Sequence, residues 1–331
     1  MNQASVMTNN SLSKHVLKMW VAVLLILAQF SLVMTNPVGF YQEHGGWLLL
    51  FLLLALFASG YLMQTLTTYI DGQDAIAKIC SFVVPSLFAA AMLLVWESIV
   101  KGFDVPLVLL PAPSGIGVAF INNLPTLWAD FQQTYLKSVV VGYVLGCSLG
   151  FIAAQCVVQS RFLQNGLLPL GNFMSSIPIV GIAPVMVMWF GFDWPSKAAV
   201  VVIMTFFPML INTLAGLKSV DPLHADLMHT YAAKKGQFFL KNQLPQAMPF
   251  IFNALKINST LALIGAIVAE FFGTPIVGMG FRISTEVGRM NMDMVWATIL
   301  MAALAGSMSY GLLALVEKKI TFWHPSIRGG R

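Results

Sequence analysis

The chain has 331 residues, of which 58% are hydrophobic and only 9% charged, with a mean hydropathy of +0.80 and a net charge of +5. So few charges over such a length exclude a water-soluble two-domain protein and indicate a bundle of apolar helices crossing a bilayer. The basic excess is spread over short polar segments, where it sets membrane orientation and is no nucleic-acid footprint.

A helix rises about 1.5 Å per residue and needs about 20 apolar residues to cross the hydrocarbon core. On that ruler the sequence predicts eight spans, near 17–36, 47–66, 79–99, 138–158, 168–190, 197–217, 247–271 and 294–316. The first follows Lys14 and Lys18 as a signal peptide would. Thr35-Asn36-Pro37 stands where small residues for cleavage are needed, so a retained anchor is expected. Residues 1–78 read as a two-helix membrane extension, joined to a core at 79–320 by the polar segment TTYIDGQDAIAK, with a short tail at 321–331.

The connection from about 100 to 137 holds a Pro-rich turn and then an amphipathic stretch expected to lie along the interface. In the fourth span Gly142, Gly146 and Gly150 recur every four residues and offer one smooth face for close helix packing. Gly146-Cys147-Ser148-Leu149-Gly150 imitates a nucleophile elbow, but that device needs a strand-to-helix turn and this stretch is a hydrophobic helix. The fifth span is interrupted by Pro178 and Pro184, which free backbone carbonyls that protein or a cavity must satisfy.

The main polar interruption is 218–249, KSVDPLHADLMHTYAAKKGQFFLKNQLPQAMP. Asp221-Pro222 suits a helix start, because proline fits the first turn and the acid faces the positive dipole end. Leu244-Pro245 and Pro249 are expected to end the segment and turn the chain into the seventh span. Two short surface helices follow, with Lys234, Lys235 and Lys241 near headgroups or a partner. On the residues alone, a solvated basic loop is an equal reading.

Glu270 lies at the edge of an apolar span, either as a functional ionisable group at depth or as an interfacial cap or partner of Arg282. Gly273, Gly278 and Gly280 beyond it suggest a tight re-entrant turn. Ser175, Ser176, Asn253, Asn258, Ser259 and Thr260 are candidates to line a solute path, with hydrogen bonding between helices as the competing role. Trp189, Phe190, Phe206 and Phe207 are candidates to stack on a planar solute, against ordinary lipid or core contacts.

Orientation follows from Lys and Arg. With the N-terminus inside, the inner segments hold twelve (Lys14, Lys18, Lys78, Arg161, Lys218, Lys234, Lys235, Lys241, Lys318, Lys319, Arg328, Arg331) and the outer segments five (Lys101, Lys137, Lys197, Arg282, Arg289). Both termini and the 218–249 connection are therefore expected in the cytoplasm, and Lys256 lies within a span. Cys80, Cys147 and Cys156 lack zinc or disulfide spacing, and the five histidines form no ligand pattern. No metal or cofactor is expected. The chain has no GxxxxGK[ST], so ATP chemistry would require a separate chain with its own Mg.

Two stretches, SIPIVGIAPVMVMWFGFDWPSKAAVVVIMTFFPMLINTLAGLKSVDP (176–222) and ALIGAIVAEFFGTPIVGMG (262–280), closely resemble the nitrate/sulfonate/taurine branch of ABC importer permeases. So does Trp96-Glu97 followed by LLPAPS at 109–114. The resemblance covers roughly residues 80 to 320. That family carries E-A-A-x3-G-x9-I-x-L-P in its cytoplasmic loop. Anchored on Leu244-Pro245, its glutamate falls on Asp226, its alanines on Leu227 and Met228, its glycine on Ala232 and its isoleucine on Asn242. Only the acid and the Leu-Pro are kept.

The resemblance implies an all-α, type I importer transmembrane fold, a six-helix core preceded by two extra helices. It implies ATPase coupling through Asp226, Met228, Tyr231, Ala232, Ala233, Gly236, Leu244 and Pro245, with Gly236 supplying the turn that Ala232 disfavours. The implied partners are an ABC ATPase, a periplasmic or lipid-anchored solute-binding protein, a second permease copy in a homodimer, and membrane lipid. The implied localisation is the bacterial inner membrane. The branch handles nitrate, sulfonates and taurine but also neutral heterocycles. The absence of basic residues at depth other than Lys256, and a tail Phe322-Trp323-His324-Pro325-Ser326-Ile327-Arg328 similar to those of thiamine-precursor and riboflavin permeases, favour a neutral planar solute. A secondary transporter is the alternative class, but it calls for paired, interrupted helices in two halves, and no such repeat is present. A membrane enzyme would need a catalytic cluster, which the sequence lacks.

Overall fold

The computed structural model describes residues 46–67, 75–273 and 276–323, together with scattered helical positions between Val23 and Thr35. Within these the order is α1 (Gly46–Thr67), α2 (Ala75–Gly102), α3 (Pro113–Asn122), α4 (Leu124–Phe131), a π-helical stretch (Gln132–Val139) and α5 (Val140–Gln159). Then follow α6 (Arg161–Ser176), α7 (Ile179–Phe190), α8 (Trp194–Lys218), α9 (Pro222–Thr230), α10 (Lys235–Phe238) and a second π-helical stretch (Phe239–Gln243). The chain continues as α11 (Leu244–Glu270), α12 (Met279–Gly288) and α13 (Met292–Ile320). No strand occurs among the described residues.

Six described helical segments are long and apolar enough to cross a membrane: Leu50–Thr67, Ser81–Gly102, Leu124–Gln159, Trp194–Lys218, Lys235–Glu270 and Met292–Ile320. The protein is a multi-pass, all-α membrane protein. The first expected span, 17–36, and the tail beyond Trp323 lie largely outside the described residues.

The chain divides into two compact units, Met1–Ala119 and Phe120–Arg331. In the first, α1 packs on α2, and Gln29 donates to Ser98 Oγ at 3.3 Å. Glu97 is buried, pairs with Lys101 at 2.7 Å and accepts the Ser114 N–H at 2.9 Å and its hydroxyl at 2.5 Å. The carboxylate thereby caps the start of α3, whose first backbone amides have no partner within the helix. Trp96-Glu97 and LLPAPS, separate in sequence, meet in this contact.

In the second unit α8 is the central helix, packed along α5 on one side and α11 on the other, with α13 against α11. Close approach to α5 depends on the glycine row. A Cβ on Gly142 would come within 2.6 Å of Ala198 O, and one on Gly150 within 2.5 Å of Phe206 O. Val201, Ala262 and Ala266 fill the adjoining core with Val139 and Met279.

Three expectations change. The fifth span is two helices, α6 and α7, because Ile177 and Pro178 are extended (ψ 125° and 129°), as expected for a residue preceding proline. Of the amphipathic stretch expected within about 100–137, Pro113–Asn122 forms the separate helix α3, while the part from Leu124 onward is not a separate element. It is the first part of one continuous helical segment, Leu124–Gln159. Pro245 and Pro249 do not end the polar connection, since helix runs unbroken from Lys235 to Glu270. Pro245 sits in the first turn of α11 after the π-helical stretch, whose wider turn lets the Leu244 amide bond Phe239 O. That geometry relieves the clash that proline otherwise causes in a helix.

Candidate functional site

The connection after α8 is organised around α9, none of whose residues is buried. Asp221 Oδ1 accepts the Leu223 N–H at 2.9 Å, and Pro222 occupies the first turn, so the expected cap is formed. The far end closes at Ala232, with φ +51°. The Ala232 N–H bonds His229 O at 2.9 Å and the Ala233 N–H bonds Met228 O at 3.0 Å, the paired bonds of a left-handed helix C-cap. Gly236, expected to supply this turn, instead lies inside α10, and Gln237 Oε1 accepts the Lys234 N–H at 2.9 Å to start that helix. The turn thus falls on the position that aligns with the family glycine, and alanine adopts it.

Asp226, Leu223, Leu227 and Tyr231 are exposed, with Met228 and Ala233 half-buried beside them. Two open clefts of ≈ 740 Å³ flank α9. One is lined by Gln155, Gln159, Met228, His229 and Phe239, the other by Asp221, His224, Lys241, Asn242 and Trp323. The structure gathers Asp226, Met228, Tyr231, Ala232, Ala233 and Gly236 at this surface. Leu244 and Pro245 are half-buried in the first turn of α11.

The solute-path candidates are dispersed. Asn258 is fully buried between α5, α8 and α11, donating to Thr205 O at 2.8 Å and contacting Cys147 Sγ at 3.3 Å, while its Oδ1 has no partner. Ser259 and Thr260 bond carbonyls of their own helix, Lys256 O and Ile257 O. Asn253 is exposed, as is Trp189 at 71% of its surface; Phe206 and Phe207 stack edge to face at 4.9 Å. The side chains of Ser175 and Ser176 lie outside the described residues. Lys256 pairs with Glu317 at 2.7 Å and sits 6.0 Å from the Tyr310 ring centre.

At the other end of α11, Glu270 is 3% exposed and accepts from Thr134 Oγ1 at 2.7 Å and from the Gly280 N–H at 2.6 Å. It caps α12. Arg282 pairs with the fully buried Asp130 at 2.8 Å and with Glu286 at 3.7 Å, and the Asp130 contact above all raises the arginine's already high pKa. Removing Arg282 would leave the Asp130 carboxylate buried and uncompensated, a loss of about 3–5 kcal/mol. Lys197 is also buried and donates to Phe192 O at 2.6 Å and Asp193 O at 3.3 Å, in the turn between α7 and α8. Beside it the Asp193 carboxyl is held below its usual range by the Trp194 N–H at 2.8 Å and the Gln133 amide at 2.7 Å. The turn between Glu270 and α12 uses Gly273 (φ +151°) and Gly278 (φ +148°), backbone geometry that side chains disfavour.

Asp130, Thr134, Lys197 and the cap made by Glu97 were not singled out from the sequence. Asp130 and Thr134 stand one helical turn apart, a polar pair on one face, and that spacing was the available signal. Lys197 counts as a loop cation until the fold buries it. Among the described residues no cluster of His, Cys, Asp or Glu suits a metal ion.

A family model for the inner membrane component of binding-protein-dependent transport systems matches residues 146–322. The formylaminopyrimidine transport permease of Halalkalibacterium halodurans is 29% identical over 72% of this chain and 95% of its own length. The riboflavin transport system permease of Chloroflexus aurantiacus is 27% identical over 71% of this chain and 88% of its own. A putative aliphatic sulfonates transport permease of Bacillus subtilis is 27% identical over 73% and 88% respectively.

Proposed function

Because the chain belongs to the binding-protein-dependent transport inner membrane components, as an ABC importer permease of the nitrate/sulfonate type, we propose that it docks its ATPase on the α9 surface and moves a neutral, planar heterocycle by alternating access. The family implies an ATPase and a solute-binding protein as partners. The permease does no covalent chemistry itself. Two copies enclose the solute path, both termini face the cytoplasm, and nucleotide-driven closure below biases a two-state bundle above.

The observation that carries this reading is α9, a helix with no buried residue, closed by Ala232 in the left-handed turn at the family's glycine position. A helix so exposed on a membrane protein gains its packing from a partner. The solute assignment is supported by Lys256, whose charge is met internally by Glu317. It is supported also by the relatives named for formylaminopyrimidine and riboflavin transport.

Co-purification from detergent-solubilised membranes tests the docking surface. An ATPase is expected with wild type and not with the Asp226→Lys, Ala232→Trp double variant; absence from a folded, abundant wild-type chain would sink the proposal. Reconstituted with its partners, the importer should take up labelled formylaminopyrimidine or riboflavin. Uptake of an alkanesulfonate alone would move the assignment to the anion-transporting relatives.

A further inference from the structure

The end of the bundle away from α9 contains a contact set that the transport reading leaves unused. Three consecutive N–H groups open α12, and each meets a different side chain. Gly278 donates to Asp130 Oδ1 at 2.8 Å, Met279 to Thr134 Oγ1 at 2.7 Å, and Gly280 to Glu270 Oε2 at 2.6 Å. These are amides that a helix cannot satisfy internally, at its positive dipole end, and two of the acceptors are buried carboxylates. The approach is close enough to require glycine. A Cβ on Gly278 would lie 2.8 Å from Glu270 Cδ, and one on Gly280 would lie 2.8 Å from Glu270 Cβ. Thr134 joins the acceptors, since its hydroxyl donates to Glu270 Oε1 at 2.7 Å.

The acceptors come from two different long helical segments. Asp130 and Thr134 lie on Leu124–Gln159, while Glu270 is the last residue of Lys235–Glu270. The second segment begins in the polar connection itself, immediately after the Ala232 turn. Its 36 residues correspond to a rod of about 54 Å. One continuous helical segment therefore has the proposed ATPase surface at one end and the cap of α12 at the other.

We propose that Asp130, Thr134 and Glu270 form a three-point latch through which movement of the coupling segment, carried along the Lys235–Glu270 rod, repositions α12. Two of the three amides, those of Gly278 and Met279, are held by the neighbouring segment and the third, that of Gly280, by Glu270, so sliding of one segment past the other redirects α12. Arg282 strengthens the hold, joining Asp130 at 2.8 Å from one turn inside α12. Glu270 is thus a positioning residue for transport. This inference rests on the transport reading and adds the output end of the coupling path.

The test combines amide exchange of α12 in the isolated chain with uptake and ATP hydrolysis by the reconstituted importer, in wild type, Glu270→Ala and Glu270→Gln. In Glu270→Ala the Gly280 amide should exchange about tenfold faster or more. ATP hydrolysis should stay within about twofold of wild type while solute moved per ATP falls about tenfold. Glu270→Gln keeps an acceptor oxygen and should recover most of both. Thr134→Val, which removes the Met279 acceptor, should shift both readouts in the same direction and serves if Glu270→Ala fails to fold. Faster exchange with unchanged uptake per ATP would reduce the contacts to a helix cap and overturn the proposal. Unchanged exchange would remove the latch itself. A wild-type chain without ATP-driven uptake would sink the transport reading and the coupling role together, a failure told apart because the isolated chain's exchange still responds to Glu270→Ala.

Discussion

Asp104, Ala232 and Met290 are the described non-glycine residues with positive φ, at +51°, +51° and +60°. Each follows a helix end and each is spanned by the same kind of backbone bond: Val105 N–H to Val100 O, Ala233 N–H to Met228 O, and Asn291 N–H to Glu286 O, at 3.0, 3.0 and 2.9 Å. Such turns normally take glycine, because an L side chain in this region costs about 1–2 kcal/mol. Ala232→Gly removes that cost and gives back part of it as unfolded-chain entropy, for a net gain of about 0.5–1 kcal/mol. The thermal midpoint of the purified permease should rise by about 1–3 °C, with ATPase co-purification unchanged. A fall in midpoint would show that the Ala232 methyl makes a packing contact worth more than the strain. The family alignment located this position from sequence, whereas the competing choice of Gly236 came from residue type alone. Gly236 lost because hydrogen bonds to Met228 O and His229 O had already closed the helix four residues earlier.

At the scale of elements, glycine and proline decide what packs and what breaks. The row of Gly142, Gly146 and Gly150 was legible because helical periodicity places residues four apart on one face. What lay against it was not, since any of the other spans offered an apolar surface. The fold supplies α8, with Val202 O 2.9 Å from a Cβ built on Gly146. Gly146→Leu must therefore push α5 and α8 apart, and overpacking of this kind costs about 1–3 kcal/mol or more. The expected result is a sharply reduced yield of monodisperse protein and a lower thermal midpoint. Gly181, with open space around it, is the control at which leucine should be tolerated. Equal loss at both positions would argue against close α5–α8 packing. Prolines were harder to read. Pro178 breaks the chain and Pro245 does not, because the turn before Pro245 is already widened to a π-helix, a feature without a sequence signature.

At the scale of the molecule, two helical segments of 36 residues extend about 54 Å across a hydrocarbon core of about 30 Å. Both ends of Lys235–Glu270 therefore project into water or headgroups, with the proposed coupling surface at one end and the α12 cap at the other. On the proposed orientation, a cysteine at the exposed Gln237 lies inside the cell and one at the exposed Phe271 outside. In a background with Cys80, Cys147 and Cys156 replaced, a membrane-impermeant maleimide should label Phe271→Cys in intact spheroplasts and Gln237→Cys only after lysis. The reverse pattern would invert the topology and remove α9 from the compartment that holds ATP.

Hydropathy alone determined that this chain crosses the membrane repeatedly as helices, because the energetic demand of lipid for internally bonded apolar segments acts on composition over windows of about 20 residues. Local motifs likewise determined the Asp221-Pro222 helix start, and the family resemblance of two stretches determined the transport class. The partners of buried polar groups were decided only by tertiary structure. Asp130 finds Gly278 and Arg282 across 148 and 152 residues of sequence, and Thr134 finds Glu270 across 136. A carboxylate in a sequence carries no record of which distant amide it will meet. Burial obliges it to meet one, and only the packed arrangement of the helices selects which.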